Sequence, residues 1–246
     1  MQPLKNKIAF VTGGSRGMGA AIVKQLAREG AEVTFTYVNG KEKAGALVEE
    51  LNGENLSINA IKANNAIEGE ITSALAQTLE KFGRLDILVN NAGVYLGKPI
   101  EEHTMDDYRL LMNVNVSAVV EGVLFAAQNM ANNGRIITIG SNMADRVAFA
   151  QGTLYAMSKS ALIGLTKGLA RDLGPKGITV NLVQPGPVNT DMNPENGGHA
   201  DYARGLMAIP KYGHPEQIAN MVAFLANPAA SYTTGSIITI DGGTNC

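Results

Sequence analysis

Short apolar runs of strand length alternate with longer runs of helical spacing from one end of this chain to the other. No other feature limits the fold as strongly. Ile8-Ala9-Phe10-Val11 is apolar at every position and stops at Thr12-Gly13-Gly14, so it reads as a strand buried on both faces. Residues 17–29 follow with Met18, Ile22, Val23, Leu26 and Ala27 on one helical stripe and Gly30 as the terminator. The cycle repeats, with strands expected at 32–37, 56–61, 86–89, 135–139, 178–183 and 236–240. Helices are expected at 41–51, 68–82, 105–130, 154–173 and 215–225. Buried strands alternating with helices imply an α/β fold: a Rossmann-type doubly wound, seven-stranded parallel sheet. No linker or composition shift divides residues 1–246, so one domain is expected. The Asn-, Gly- and Pro-rich stretch 187–210 follows the end of a strand and is long for a connection, which reads as a lid.

Composition narrows the function. Lys and Arg number 20 against 22 Asp and Glu, a net charge of -2 that argues against nucleic-acid binding. The lone Cys246 excludes an internal disulfide and a cysteine zinc cluster, and it reads as an exposed, inert terminal thiol. His103, His199 and His214 show no metal-ligand spacing, so no metal is expected. No uninterrupted apolar run approaches the ~18 residues of a membrane span. The first residues lack an apolar targeting core, which predicts a cytoplasmic protein. Glycine is in excess, 28 of 246 residues against a usual ~7%. Gly13, Gly14, Gly17, Gly19, Gly93, Gly140 and Gly186 fall at predicted strand ends, where α/β sheets bind ligands.

The run Thr12-Gly13-Gly14-Ser15-Arg16-Gly17-Met18-Gly19 lies between the first strand and first helix. Glycines there permit a tight turn and close approach of backbone to a pyrophosphate, and the helix N-terminus supplies free N–H groups. The spacing is Gly-x-x-x-Gly-x-Gly, and with it the chain resembles the short-chain dehydrogenase/reductase family, of the ketoreductase or 3-oxoacyl-reductase type. Asn90-Asn91-Ala92-Gly93, Asn115, Ser141, the pair Tyr155 and Lys159, Pro185-Gly186 with Thr190, and Asp241-Gly242-Gly243 match that family's motifs in order.

The resemblance implies reversible hydride transfer between a nicotinamide cofactor and a carbonyl or alcohol. It implies a catalytic set of Asn115, Ser141, Tyr155 and Lys159. It places the cofactor against Gly13, Ser15, Arg16, Gly17, Met18, Gly19, Asn39, Asn64, Asn91, Ala92, Gly93, Tyr155, Lys159, Pro185, Gly186, Val188 and Thr190. Tyr155 and Lys159 are four apart on a helix and face the same way. An ammonium beside a phenol favours phenolate, and with an oxidised nicotinamide ring adding its charge Tyr155 is expected below its ordinary pKa of about 10. Asn115 is expected to hold a water near Lys159, and Lys159 to grip the nicotinamide ribose.

The segment Thr36-Tyr37-Val38-Asn39-Gly40-Lys41 carries no acid, whereas NAD-preferring members usually have one at the end of the second strand. Arg16 stands where NADP-preferring members hold the 2′-phosphate, with Lys41 as a further charge, so NADP(H) is expected over NAD(H). Asn64 replaces the usual adenine-contacting Asp and is expected to accept from adenine.

Met143, Gln151, Met192 and Met207 are candidate substrate-wall residues. The low aromatic content, 5%, suggests an aliphatic and methionine-lined pocket. Residues 128–133 carry no basic group to meet an acidic carrier protein, which favours a free small carbonyl over a carrier-bound 3-oxoacyl chain. The run from Gln184 to Gly197 also resembles reductase-like members proposed to bind cyclic dinucleotides, a binding or sensing role of another class. A homotetramer or dimer is implied, with the C-terminal residues near its interface.

Overall fold

The computed structural model describes residues 2–246. Seven strands form one wholly parallel sheet: β1 (Ile8–Val11), β2 (Glu32–Tyr37), β3 (Ile58–Lys62), β4 (Ile87–Asn90), β5 (Arg135–Ile139), β6 (Thr179–Pro185) and β7 (Ile237–Ile240). Their order is β3-β2-β1-β4-β5-β6-β7. The chain moves outward in one direction from β1 and then in the other from β4, so the loops after these two strands part and leave a crevice.

The strands are apolar at consecutive positions because both faces are covered. Ala9, Val11, Ile87, Val89, Ile137 and Ile139 point to one face, beneath α1 (Gly17–Arg28), α2 (Lys41–Gly53) and α8 (Pro215–Ala226). Phe10, Leu88 and Ile136, each one residue from a member of that set, point to the other. There they meet α3 (Glu70–Phe82), α5 (Ala118–Asn129) and α6 (Thr153–Leu173). Residues one apart serve opposite cores, as the period of two requires.

The structure moves several expected boundaries. β3 starts at Ile58 because Leu56 N donates to Leu51 O and closes the end of α2. α3 starts at Glu70, after Gly69 in the left-handed region (φ 84°). α1 ends at Arg28, and Gly30 turns the chain at φ 104°. The expected helix 105–130 is α4 (Met105–Met112), a π-turn at Asn113–Ser117 that holds Asn115, and α5. By length and composition Met105–Asn129 could cross a bilayer, although polar residues interrupt its apolar run. Here Leu111, Val114, Val119, Val123 and Ala126 are buried inside the protein instead. The stretch 187–210 contains a short helix, α7 (Ala200–Gly205).

Candidate active site

The loop after β1 is drawn into place by backbone bonds to both neighbouring strands. Thr12 N donates to Val89 O (3.0 Å), Gly13 N to the Thr36 hydroxyl (3.0 Å) and Gly14 N to Thr36 O (2.9 Å). Gly13 sits at φ 66°, which few side chains tolerate, and a Cβ on Gly19 would run into Gly13 O. Arg16 is the extended N-cap of α1, and no side chain caps that helix. Its leading N–H groups at Gly17, Met18 and Gly19 therefore sit at the carboxyl edge of the sheet without a side-chain acceptor, a donor set suited to a pyrophosphate.

Asn91 and Ala92, expected at the cofactor, also build the crevice itself. Asn91 Nδ2 donates to Thr12 O (2.9 Å) and Gly13 O (3.0 Å). The Asn91 and Ala92 amides both donate to the Thr12 hydroxyl (2.9 and 3.0 Å). They strap the β1 and β4 loops together and so fix the crevice. A Cβ on Gly93 would lie 3.4 Å from both Asn115 Oδ1 and Lys159 Nζ, so its absence keeps open the space between these groups.

Asn115 is fully buried in the π-turn. Its Oδ1 accepts from Val94 N (2.9 Å), and its Nδ2 donates to Val94 O (3.0 Å) and the Ser158 hydroxyl (3.0 Å). The side chain is thus a strut between the β4 loop and α6. With both Nδ2 hydrogens engaged, it has no amide N–H left for a water.

Ser141 follows β5, and its Oγ accepts from Met143 N (3.2 Å), leaving the hydroxyl proton free to donate. Tyr155 and Lys159 lie one turn apart on α6, with Lys159 Nζ 5.9 Å from the Tyr155 ring centre. Lys159 is 4% exposed and donates to Ile139 O (2.9 Å). Burial depresses its pKa to about 8. Tyr155 departs from expectation. Burial pushes its phenol up, opposed by a hydrogen bond with Ser141 and reinforced by Tyr95. The expected fall needs the Lys159 charge and an oxidised nicotinamide ring together to outweigh burial, and the ammonium is turned to the Ile139 carbonyl.

The Tyr95 ring stands edge-on to Tyr155, at 5.1 Å and 79° between planes. Tyr95 was not among the expected wall residues, and it puts an aromatic ring beside Tyr155. Phe149 and Tyr202 are also exposed, and Tyr202 donates to Ala148 O (3.3 Å), joining α7 to the segment after Ser141.

Among the four expected wall residues, Met143 packs on the Gly152 backbone at the start of α6. Met192 and Gln151 are exposed, Gln151 with a left-handed backbone (φ 72°). Met207 is 8% exposed and clusters with Ala200 and Tyr212 in a small core of its own.

At the adenosine end, the lysine brought beside Arg16 is Lys43, not Lys41. Arg16 Nη1 and Lys43 Nζ lie 3.8 and 2.7 Å from Asp191 Oδ2. Asn39 is exposed after β2. Asn64 Oδ1 accepts from Ala66 N (3.0 Å), and its second lone pair is the one an adenine amino group would use. Val188 is buried and bridges to Gly213. Thr190 packs its methyl 3.4 Å from where a Gly17 Cβ would stand, and Gly186 lets Asp241 approach closer than any side chain would allow.

Asp241 has a role the motif did not reveal. It accepts from Asn142 Nδ2 (3.3 Å), Gly243 N (3.0 Å) and Asn245 N (3.0 Å). Asn245 Nδ2 in turn donates to Asn142 O (2.7 Å), and Arg146 Nη1 to Thr244 O (2.6 Å). The C-terminal residues thereby brace the segment carrying Ser141. Cys246 is exposed, as expected.

A family model described as enoyl-(acyl carrier protein) reductase matches residues 13–245. The chain is a short-chain dehydrogenase/reductase. A short-chain dehydrogenase/reductase from Serratia marcescens is 52% identical, with a TM-score of 0.98 over 99% of this chain and 100% of that one. A blue fluorescent protein from a metagenomic library, solved in complex with NADPH, is 48% identical with a TM-score of 0.98 and covers 100% of both chains. The cyclic-di-GMP-binding biofilm dispersal mediator protein of Escherichia coli is 44% identical over 98% of each chain.

Proposed function

We propose that this short-chain dehydrogenase/reductase reduces a free ketone to a secondary alcohol with NADPH, reversibly. The observation that carries the reading is the meeting of Ser141, Tyr155 and Lys159 at the carboxyl edge of the sheet, beside the glycine loop. The NADPH held by the 48%-identical neighbour supports the cofactor, as does the grouping of the Arg16 and Lys43 cations about Asp191. The cofactor supplies hydride to the carbonyl carbon.

Each residue then has a defined task. The Ser141 hydroxyl, its oxygen held by Met143 N, donates to the substrate carbonyl. Tyr155, kept protonated by burial, gives its proton to the developing alkoxide. Lys159, anchored at Ile139 O, sits beneath Tyr155 and grips the nicotinamide ribose while charged, which its pKa of about 8 allows at neutral pH. Asn115 acts on these groups as a positioning residue. The segment 187–210 covers the bound substrate. The exposed apolar residues Leu110, Leu124 and Met157 on α4, α5 and α6 favour association with further copies of the chain.

A panel of ketones, quinones and acyl thioesters with NADPH, followed by cofactor absorbance, tests the reading. Clear preference for carrier-bound 3-oxoacyl thioesters would overturn the choice of a free ketone. Lys176, against the end of α5, is engaged with Ala127 O (2.7 Å), which fits the free substrate better. The Escherichia coli relative favours a second reading, in which a cyclic dinucleotide is bound. Survival of the cellular effect in Tyr155→Phe, with reductase activity gone, would select that reading.

A further inference from the structure

The stretch 187–210 places a carboxylate among the cations assigned to the cofactor. Asp191 Oδ2 lies 2.7 Å from Lys43 Nζ and 3.8 Å from Arg16 Nη1. The three residues come from that stretch, the first turn of α2 and the N-cap of α1. They line one cleft of about 350 Å³ with Ser15. The Ser15 hydroxyl lies 3.2 Å from where a Gly40 Cβ would stand, so this cleft is at the end of β2, where a ribose 2′ position falls in a doubly wound sheet. Lys24, also on the cleft, is paired with Glu50 (2.7 Å), so Arg16 and Lys43 are the cations turned to Asp191. Among the described residues the Asp191 carboxylate has no hydrogen-bond donor besides Lys43.

We propose that Asp191 is an internal rival of the cofactor's 2′-phosphate and sets how strongly this chain prefers NADPH to NADH. The inference rests on the NADPH reading above. A phosphate dianion and the carboxylate seek the same N–H groups, and the phosphate offers more charge and more acceptor oxygens. Binding of a 2′-phosphate therefore displaces Asp191 from Lys43, whereas a 2′-hydroxyl leaves the pair intact. The carboxylate lowers affinity for the phosphorylated cofactor alone. All three side chains are more than half exposed, so the effect is modest and screened by salt.

Calorimetry with two fragments that lack nicotinamide, adenosine 2′,5′-bisphosphate and 5′-AMP, tests this on the full chain at low salt. Asp191→Asn is expected to tighten the bisphosphate about fivefold and to leave 5′-AMP within about twofold, with the gain shrinking as salt rises. Asp191→Glu is expected to stay near the wild-type ratio, because it keeps the charge. Equal weakening of both fragments in Asp191→Asn would show an anchor for the segment rather than a rival, and an unchanged ratio would show no coupling. Either result overturns the proposal while leaving the cofactor reading standing. If the wild type and Arg16→Ala both bind the two fragments equally, the 2′-phosphate reading itself fails, and the rival role with it.

Discussion

Replacing Lys159 with methionine removes a buried ammonium while keeping most of its volume. The side chain is 4% exposed, and burial lowers its pKa from 10.5 to about 8. That gap is about 2.5 units, or about 3 kcal/mol at 1.36 kcal/mol per unit. The folded-state pKa of a lysine is depressed here, so between about pH 8 and 10.5 the unfolded chain binds more protons and stability rises with pH. The penalty is in full force below about pH 8 and vanishes as pH rises through the unfolded value near 10.5. Methionine also loses the bond to Ile139 O, about 1 kcal/mol at any pH. Lys159→Met is therefore expected to be inactive yet about 2 kcal/mol more stable than wild type near neutral pH. That advantage should fall toward zero and reverse as the medium approaches pH 10. Urea unfolding of both proteins at several pH values, read as the difference between them, checks this. A difference that stays constant across the window would refute the burial argument, because only the lysine proton makes it vary.

Asn115→Ala leaves the half-buried Val94 amide and carbonyl without their partners, at about 3 kcal/mol in all. Thermal unfolding should then shift down by roughly 6–12 °C, and loss of turnover without that shift would point to direct chemistry. Gly19→Ala drives a Cβ into Gly13 O, so NADPH binding measured by fluorescence should fall by more than about tenfold; unchanged affinity would mean the loop does not hold the pyrophosphate. Met207→Ala should lower stability by about 2–3 kcal/mol through a cavity without changing the substrate KM by more than about twofold. A selective rise in KM would place Met207 on the pocket wall.

Much of the fold was legible because both cores write themselves into the strands. Ala9, Phe10 and Val11 are apolar in succession only because α-helices lie on each side. The boundaries were less legible. The turn that ends α2 takes Leu56 through a single backbone bond, and a π-turn around Asn115 leaves the helical apolar pattern nearly undisturbed. The site motifs located Ser141, Tyr155 and Lys159, but not how each is used. Whether Asn91 or Asn115 faces a ligand or braces a loop depends on backbone groups brought from 78 and 21 residues away. Lys43 was missed in favour of Lys41 because only the start of α2 decides which lysine turns to Arg16. Tyr95 was missed because a loop residue beside Gly93 has no periodicity to reveal the ring it meets.

In the proposed mechanism Tyr155 delivers the proton while the glycine loop holds NADPH independently of it. Tyr155→Phe, measured in parallel for NADPH affinity and for single-turnover ketone reduction, tests it most directly. The expected result is NADPH affinity within about twofold of wild type and a reduction rate lower by about 10²–10⁴. Reduction at close to the wild-type rate in Tyr155→Phe would contradict the claim.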